Sequence, residues 1–371
     1  MSENFGNKGY EDYFKALEQQ INKPSVTSAE NISVTKKTEA APRRKGVYKV
    51  VRLRKSVIAV FLCIVLIITG ALVISGLGKD KAVSETETQQ TDKTKTDVAE
   101  KKKPKYIFTD ATAEIPAEND AKSIIIVDKS TDKVVAARNP HEREYPASTT
   151  KIMTLLVAVE NITDFDDTFT MTLDITDPLY VEEASVAGFL NGEQITMTDL
   201  LYGTILPSGA DAAMGLAITV SGSEAEFVKL MNKKVKELGL KNTNFTNVTG
   251  LHNKNNYSSA YDMAIILDAA LQNDLCRKVL STYQHTTNVT PQHPKGILLS
   301  STLFSYMYGN EPETSTILGG KTGFVNESGY CIASYGKVND TQKEYIVVTM
   351  GNSARWPAFY GQIDLYKQYV K

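Results

Sequence analysis

Hydrophobic and polar positions follow three different rhythms along this chain. From Ser56 to Gly78 (SVIAVFLCIVLIITGALVISGLG) 23 residues pass without a charge. A helix rising about 1.5 Å per residue would cross the roughly 30 Å core of a bilayer over that length. The stretch exceeds the apolar core of a signal peptide, about 7–15 residues, and no small-residue cleavage site follows, so an uncleaved anchor is expected. Further on, apolar runs at Ser123–Asp128 and Lys133–Arg138, around a Lys129–Asp132 turn, predict two strands. Ile152, Leu155, Leu156 and Val159 share one face of a helix predicted over Ser148–Glu160. Helices are also expected at Thr198–Leu206, Asp211–Val220, Glu224–Leu238 and Ala260–Leu271. Strands return at Tyr330–Tyr335 and Tyr345–Met350, before a last helix near Pro357–Tyr369. Strands at both ends of this region, with helices between, predict an α/β (α+β) domain. One sheet would be closed by its N- and C-terminal segments, with a helical lobe inserted in the middle.

Charge sharpens this division. The net charge of −2 conceals +6 over residues 1–55, +2 over 79–105 and −10 over 106–371. Arg43, Arg44, Lys45, Lys49, Arg52, Arg54 and Lys55 crowd the N-terminal side of the apolar stretch, which places that side in the cytoplasm and the bulk of the chain outside. Four parts are thus expected. Residues 1–55 form a disordered basic tail of unknown partner, the alternative being a short helix around Tyr10–Ile21. Residues 56–78 form the anchor, and residues 79–105, rich in Thr, Lys and Gln, an extracellular linker. Residues 106–371 form the functional domain, long enough to bury a full core. Its acidity argues against nucleic-acid binding. Cys63, Cys276 and Cys331 show no C-x-x-C spacing, and Cys276 and Cys331 are expected to be buried and unpaired. The four histidines are scattered, and the spacing of His285 and His293 fits no common zinc motif; no metal or cofactor is expected.

Three short segments could carry chemistry. In Ser148-Thr149-Thr150-Lys151 a hydroxyl and an amine lie one helical turn apart. A serine is a poor nucleophile without an adjacent base, and a lysine is a base only if its surroundings keep it neutral. Alone, the pattern is most often a helix cap with a surface lysine. Ser208-Gly209-Ala210, on a connector between two predicted helices, could project a hydroxyl into a cleft; alone, it too reads as a cap before Asp211. Lys321-Thr322-Gly323, inside Gly319–Phe324, could hold a carboxylate on a strand edge, or be a glycine-rich hairpin. It is not a P-loop, since G-x-x-x-x-G-K-S/T needs a glycine where Ser315 stands.

The order and spacing of these segments, 60 and then 113 residues apart, resemble those of the serine penicillin-binding proteins and β-lactamases. Tyr145–Thr154 (YPASTTKIMT), Asp199–Gly203 leading into Ser208-Gly209, and Asn247–His252 (NVTGLH) narrow this. They are similar to the D-alanyl-D-alanine carboxypeptidases, the low-molecular-mass penicillin-binding proteins of peptidase family S11, over about residues 120–352. The resemblance implies an antiparallel sheet flanked by helices. It implies Ser148 as nucleophile, Lys151 as its base and Ser208 as a proton relay. Lys321, Thr322, Gly323 and Phe324 would bind substrate, Lys321 and Thr322 taking the terminal carboxylate; the N–H groups of Ser148 and Phe324 would form the oxyanion hole. It also implies a peptidoglycan pentapeptide as substrate, β-lactams as acylating inhibitors, and a bacterial cell membrane carrying the catalytic domain outside.

Two departures stand out. Ala210 occupies the place of the Asn usual in the second motif, and the expected anchor lies N-terminal to the domain where relatives often carry a C-terminal one. Three other readings remain. A class A-like β-lactamase would need a deacylating glutamate in E-x-x-L-N; the context of Glu182 and Glu183 does not match that pattern. A transpeptidase would use an amine as acceptor. A non-catalytic wall-binding scaffold would rest on Ala210.

Overall fold

The computed structural model describes residues 105–371, apart from Tyr308 and Glu311. The expected tail, the anchor and all but the last residue of the expected linker lie outside the described residues. Among the described residues no helix is long and apolar enough to cross a membrane.

Among the described residues the first element is a two-residue strand, β1 (Ala113–Glu114), followed by β2 (Ser123–Asp128) and β3 (Lys133–Arg138), both at the predicted boundaries. A 3-10 turn (Ala147–Thr150) runs into α1 (Lys151–Asn161). The helical lobe follows: β4 (Thr168–Thr170), α2 (Leu173–Val181), β5 (Gln194–Thr196), α3 (Met197–Ile205), α4 (Ala210–Ser221) and α5 (Glu224–Leu238). Next come α6 (Ala260–Leu271), α7 (Asp274–Leu280), a small hairpin of β6 (Gln284–Thr286) and β7 (Leu298–Ser300), and α8 (Thr302–Met307). Three long strands and a helix complete the domain: β8 (Ser315–Val325), β9 (Gly329–Val338), β10 (Glu344–Asn352) and α9 (Arg355–Tyr369). The main sheet has the order β1-β3-β2-β10-β9-β8 and is antiparallel except for the β1–β3 pair. As expected, segments from both ends of the domain build it.

The apolar run of β2 has a simple cause. Side chains alternate across a strand, and here both faces are covered. Ile125 and Val127 join Ile346 and Val348 of β10 in a core under the helical lobe. Ile124 and Ile126 join Val347, Phe359 and Ile363 in a second core beneath α9. Apolar residues are therefore needed at every position, as in any doubly covered strand. Helix α6 lies between the sheet and α1 and is buried nearly all round, so its sequence is apolar on every side rather than striped. Its start and that of α5 are sharp because Ser259 and Ser223 accept N–H bonds from Asp262 and Glu226; Gly239, with φ +74°, closes α5.

Three sequence expectations change. The α-helix expected from Ser148 begins at Lys151, and Ser148 sits in the preceding 3-10 turn. Pro146 and the positive φ of Ala147 (+47°) set a tight entry that an α-helix could not accommodate. Lys321-Thr322-Gly323 lies inside strand β8, at the sheet's edge, rather than ahead of a strand. Helix α2, with Pro178 inside it, was not anticipated, because proline argues against a helix interior. Cys276 and Cys331 are both buried and unpaired, and burial pushes their thiols up to about 12 and about 11.

Candidate active site

The 3-10 turn presents Ser148 where α1, β8 and the 247–250 loop meet. Its three-residue pitch stacks positions i and i+3. Lys151 Nζ consequently lies 3.1 Å from Ser148 Oγ, and 2.6 Å from the carbonyl oxygen of Thr249, to which it donates. Gly250 has φ +81°, and a side chain there would run into the carbonyl of Ala147. This glycine lets the 247–250 loop press against the turn. From the other side, a Cβ on Gly323 would lie 2.8 Å from Ser148 N and 2.9 Å from Thr149 N. The edge strand thus passes directly over the first N–H groups of the turn, of which that of Thr149 donates to the carbonyl oxygen of Pro146 at 3.2 Å.

Lys151 and Lys321 are 2% and 1% exposed. Removing an ammonium from water disfavours its charged form. Burial lowers Lys151 to about 7, while the Asp211 carboxylate pulls the other way. Lys321 falls well below the ordinary lysine range, through burial first and the neighbouring Lys151 second. Burial is the main cause for both, and the repulsion between the two amines weighs on Lys321. Lys321 Nζ donates to Thr322 O at 2.7 Å.

Ser208 is buried on the α3–α4 connector in the left-handed conformation, φ +68°. Ala210, two residues on, lines the same cleft as Ser148 and Lys151 and offers only a methyl group there. This cleft, of about 840 Å³, is also bordered by Phe324, Glu182 and Glu183. Gly209 is required at its position, since a Cβ would lie 2.7 Å from the carbonyl oxygen of Gly203.

Two residues that hold the site together were missed. Asp211, 1% exposed, accepts N–H bonds from Ala187, Gly188 and Phe189 at 2.7, 3.1 and 3.3 Å, pinning the loop that crosses from α2. Thr302 Oγ1 lies 2.7 Å from Thr322 Oγ1, while its N–H donates to Leu206 O at 3.0 Å. One threonine therefore joins the β8 motif to the Ser208 connector. Its sequence surroundings, Ser300-Ser301-Thr302, carry no signal of this. Asp211 was legible only as the residue after a cap. The structure thus brings Ser148, Lys151 and Gly323 together, sets Lys321 where the charge of Lys151 acts on it, and joins Thr322 to the Ser208 connector through Thr302. Among the described residues, no group of three or more His, Cys, Asp or Glu side chains is placed to hold a metal ion.

The family described as "Peptidase_S11: D-alanyl-D-alanine carboxypeptidase" matches residues 109–354. The chain is 36% identical over 241 residues to the D-alanyl-D-alanine carboxypeptidase DacF of Bacillus subtilis, covering 63% of this chain and 58% of that protein. It is 33% identical over 242 residues to DacA of Haemophilus influenzae, covering 64% and 58%. The match thus spans under two thirds of the length of these curated relatives. Among solved structures, the Streptomyces K15 DD-transpeptidase superposes with a TM-score of 0.59 at 27% identity, covering 67% of this chain and 97% of that one. Penicillin binding protein 5 from Haemophilus influenzae gives 0.60 at 30% identity, covering 68% and 71%.

Proposed function

Because the chain belongs to the D-alanyl-D-alanine carboxypeptidase family, peptidase S11, we propose that it removes the terminal D-alanine from peptidoglycan pentapeptides through an acyl-enzyme on Ser148. The observation that carries this is the pairing of Ser148 Oγ with a buried amine 3.1 Å away whose pKa is lowered to about 7. Neutral Lys151 takes the hydroxyl proton as Ser148 attacks the carbonyl of the penultimate D-alanine. The N–H groups of Ser148 and Phe324 hold the oxyanion; a donor so placed is worth about 2.7–4 kcal/mol. Ser208 relays the proton to the departing amine, and the C–N bond breaks. Lys321 and Thr322 hold the terminal carboxylate, and water then releases the acyl group. β-Lactams acylate the same serine because they pair a strained amide with a nearby carboxylate.

The three rival readings separate at known points. A transpeptidase, favoured by likeness to the Streptomyces enzyme, shares every step up to the acyl-enzyme and differs only in acceptor. A β-lactamase needs a base for fast deacylation; Glu182 and Glu183 border the cleft but lack the expected motif. A scaffold rests on Ala210 alone. Incubating the full chain with a wall-type pentapeptide, with and without an amine acceptor, decides: free D-alanine and tetrapeptide are expected, and a dominant aminolysis product or no release would overturn the assignment. Rapid turnover of nitrocefin would favour the β-lactamase. We also propose that residues 56–78 span a bacterial membrane with residues 1–55 inside, supported by their uncharged length and basic flank. Protease digestion of intact cells should then remove the domain and spare the tail.

A further inference from the structure

On the α9 side of the sheet, a row of aromatic side chains bridged by Arg355 starts at the cleft and passes onto α8 and α9. Phe324, next to the glycine that covers Ser148, is 47% exposed, and its ring lies 4.3 Å from that of Tyr330. The guanidinium of Arg355 sits 6.0 Å from the Tyr330 ring and 5.0 Å from the Tyr306 ring. Tyr306 meets the edge of Trp356 at 5.9 Å, and Trp356 stacks on Tyr360 at 5.9 Å and 23°. Trp356 and Tyr360 are 37% and 47% exposed. Tyr306 stands one turn after Thr302, the hydroxyl partner of Thr322. The row therefore flanks the carboxylate motif and continues outward onto α9.

Its chemistry selects among occupants. An apolar protein surface would be met by a recess lined with aliphatic groups. Here flat rings carry phenol hydroxyls at their edges, and one guanidinium lies over the Tyr306 and Tyr330 rings. A pyranose presents a C–H face that packs on such rings, and a rim of hydroxyl and amide groups that bond to their polar edges. The direction fits as well. Along β8 the order is Lys321 and Thr322, then Gly323 against the reacting serine, then Phe324; Val325, Asn326 and Glu327 continue the cleft wall. A peptide held by its carboxylate at Lys321 extends toward Phe324, where the row begins.

We infer that Phe324, Tyr330, Tyr306, Trp356 and Tyr360 form a stacking track for the amino-sugar strand that bears the stem peptide. This rests on the carboxypeptidase reading for the peptide's direction. Trp356 is the single tryptophan of the chain, so its fluorescence reports the track directly. Glycan strands stripped of peptide by an amidase should quench or shift that fluorescence in the full chain. The paired variant Trp356→Ala/Tyr360→Ala should bind purified sacculi about tenfold more weakly, as loss of two ring stacks would bring, and Trp356→Tyr should retain most of the binding. Penicillin labelling and release of D-alanine from free pentapeptide should be unchanged in both variants. An unaltered emission with bare glycan, or equal sacculus binding by the paired variant, would overturn the inference. Absence of penicillin labelling in the unaltered chain would count against the Ser148 chemistry alone, and the fluorescence would still decide the track.

Discussion

At the scale of single residues, the chemistry turns on the protonation of Lys151. Burial holds it to about 7, so the penicillin acylation rate should climb through that pH and fall about tenfold per unit below it, as for any essential base in free enzyme. Asp211 acts against burial, raising the lysine. Asp211→Asn should therefore move the midpoint to lower pH; an unmoved midpoint would show that the carboxylate does not reach the amine. Gly323→Ala tests position instead of charge. A methyl group 2.8 Å from Ser148 N forces the strand off the turn, and displacement of this order costs about 10²-fold in rate. Stopped-flow acylation should show that loss while circular dichroism stays unchanged. The motif residues were legible because their types and order are unusual in combination. The supports were not: Thr249 acts through a backbone carbonyl, which no side chain announces.

Between elements, the site depends on three segments that meet only after folding. Thr302 fastens β8 to the α3–α4 connector with one hydroxyl and one N–H. Thr302→Val keeps the shape and the N–H bond but leaves the Thr322 hydroxyl without that partner, at a cost of about 1–2 kcal/mol in carboxylate binding. A rise of about tenfold in KM with little change in kcat is expected, and Thr302→Ser should restore it; equal losses in both parameters would point to general damage. Helices α5 and α6 were legible to the residue because serine caps and a closing glycine mark them. Strand β8 was hidden because Gly319, Gly320 and Gly323 break its pattern, and each is there for close approach: to Leu280, to Ala333 and to Ser148. Helix α2 was hidden by Pro178. Function has thus weakened the local signals nearest the site.

For the domain described as a whole, two buried lysines tie stability to pH. Lys151 is about 7 when folded and 10.5 in its ordinary state. Between those values the unfolded chain binds a proton that the folded chain does not, so stability rises with pH across this window and is least below about 7. Lys321 acts in the same direction. Urea unfolding of Lys151→Met should show a flatter slope between about pH 7 and 10 than the unaltered protein; an identical slope would mean that the amine is not desolvated. The most direct test of the account is mass spectrometry of the full chain after exposure to benzylpenicillin. One covalent adduct is expected, located on Ser148 and absent from Ser148→Ala. An adduct on another residue, or one that persists in Ser148→Ala, would contradict it.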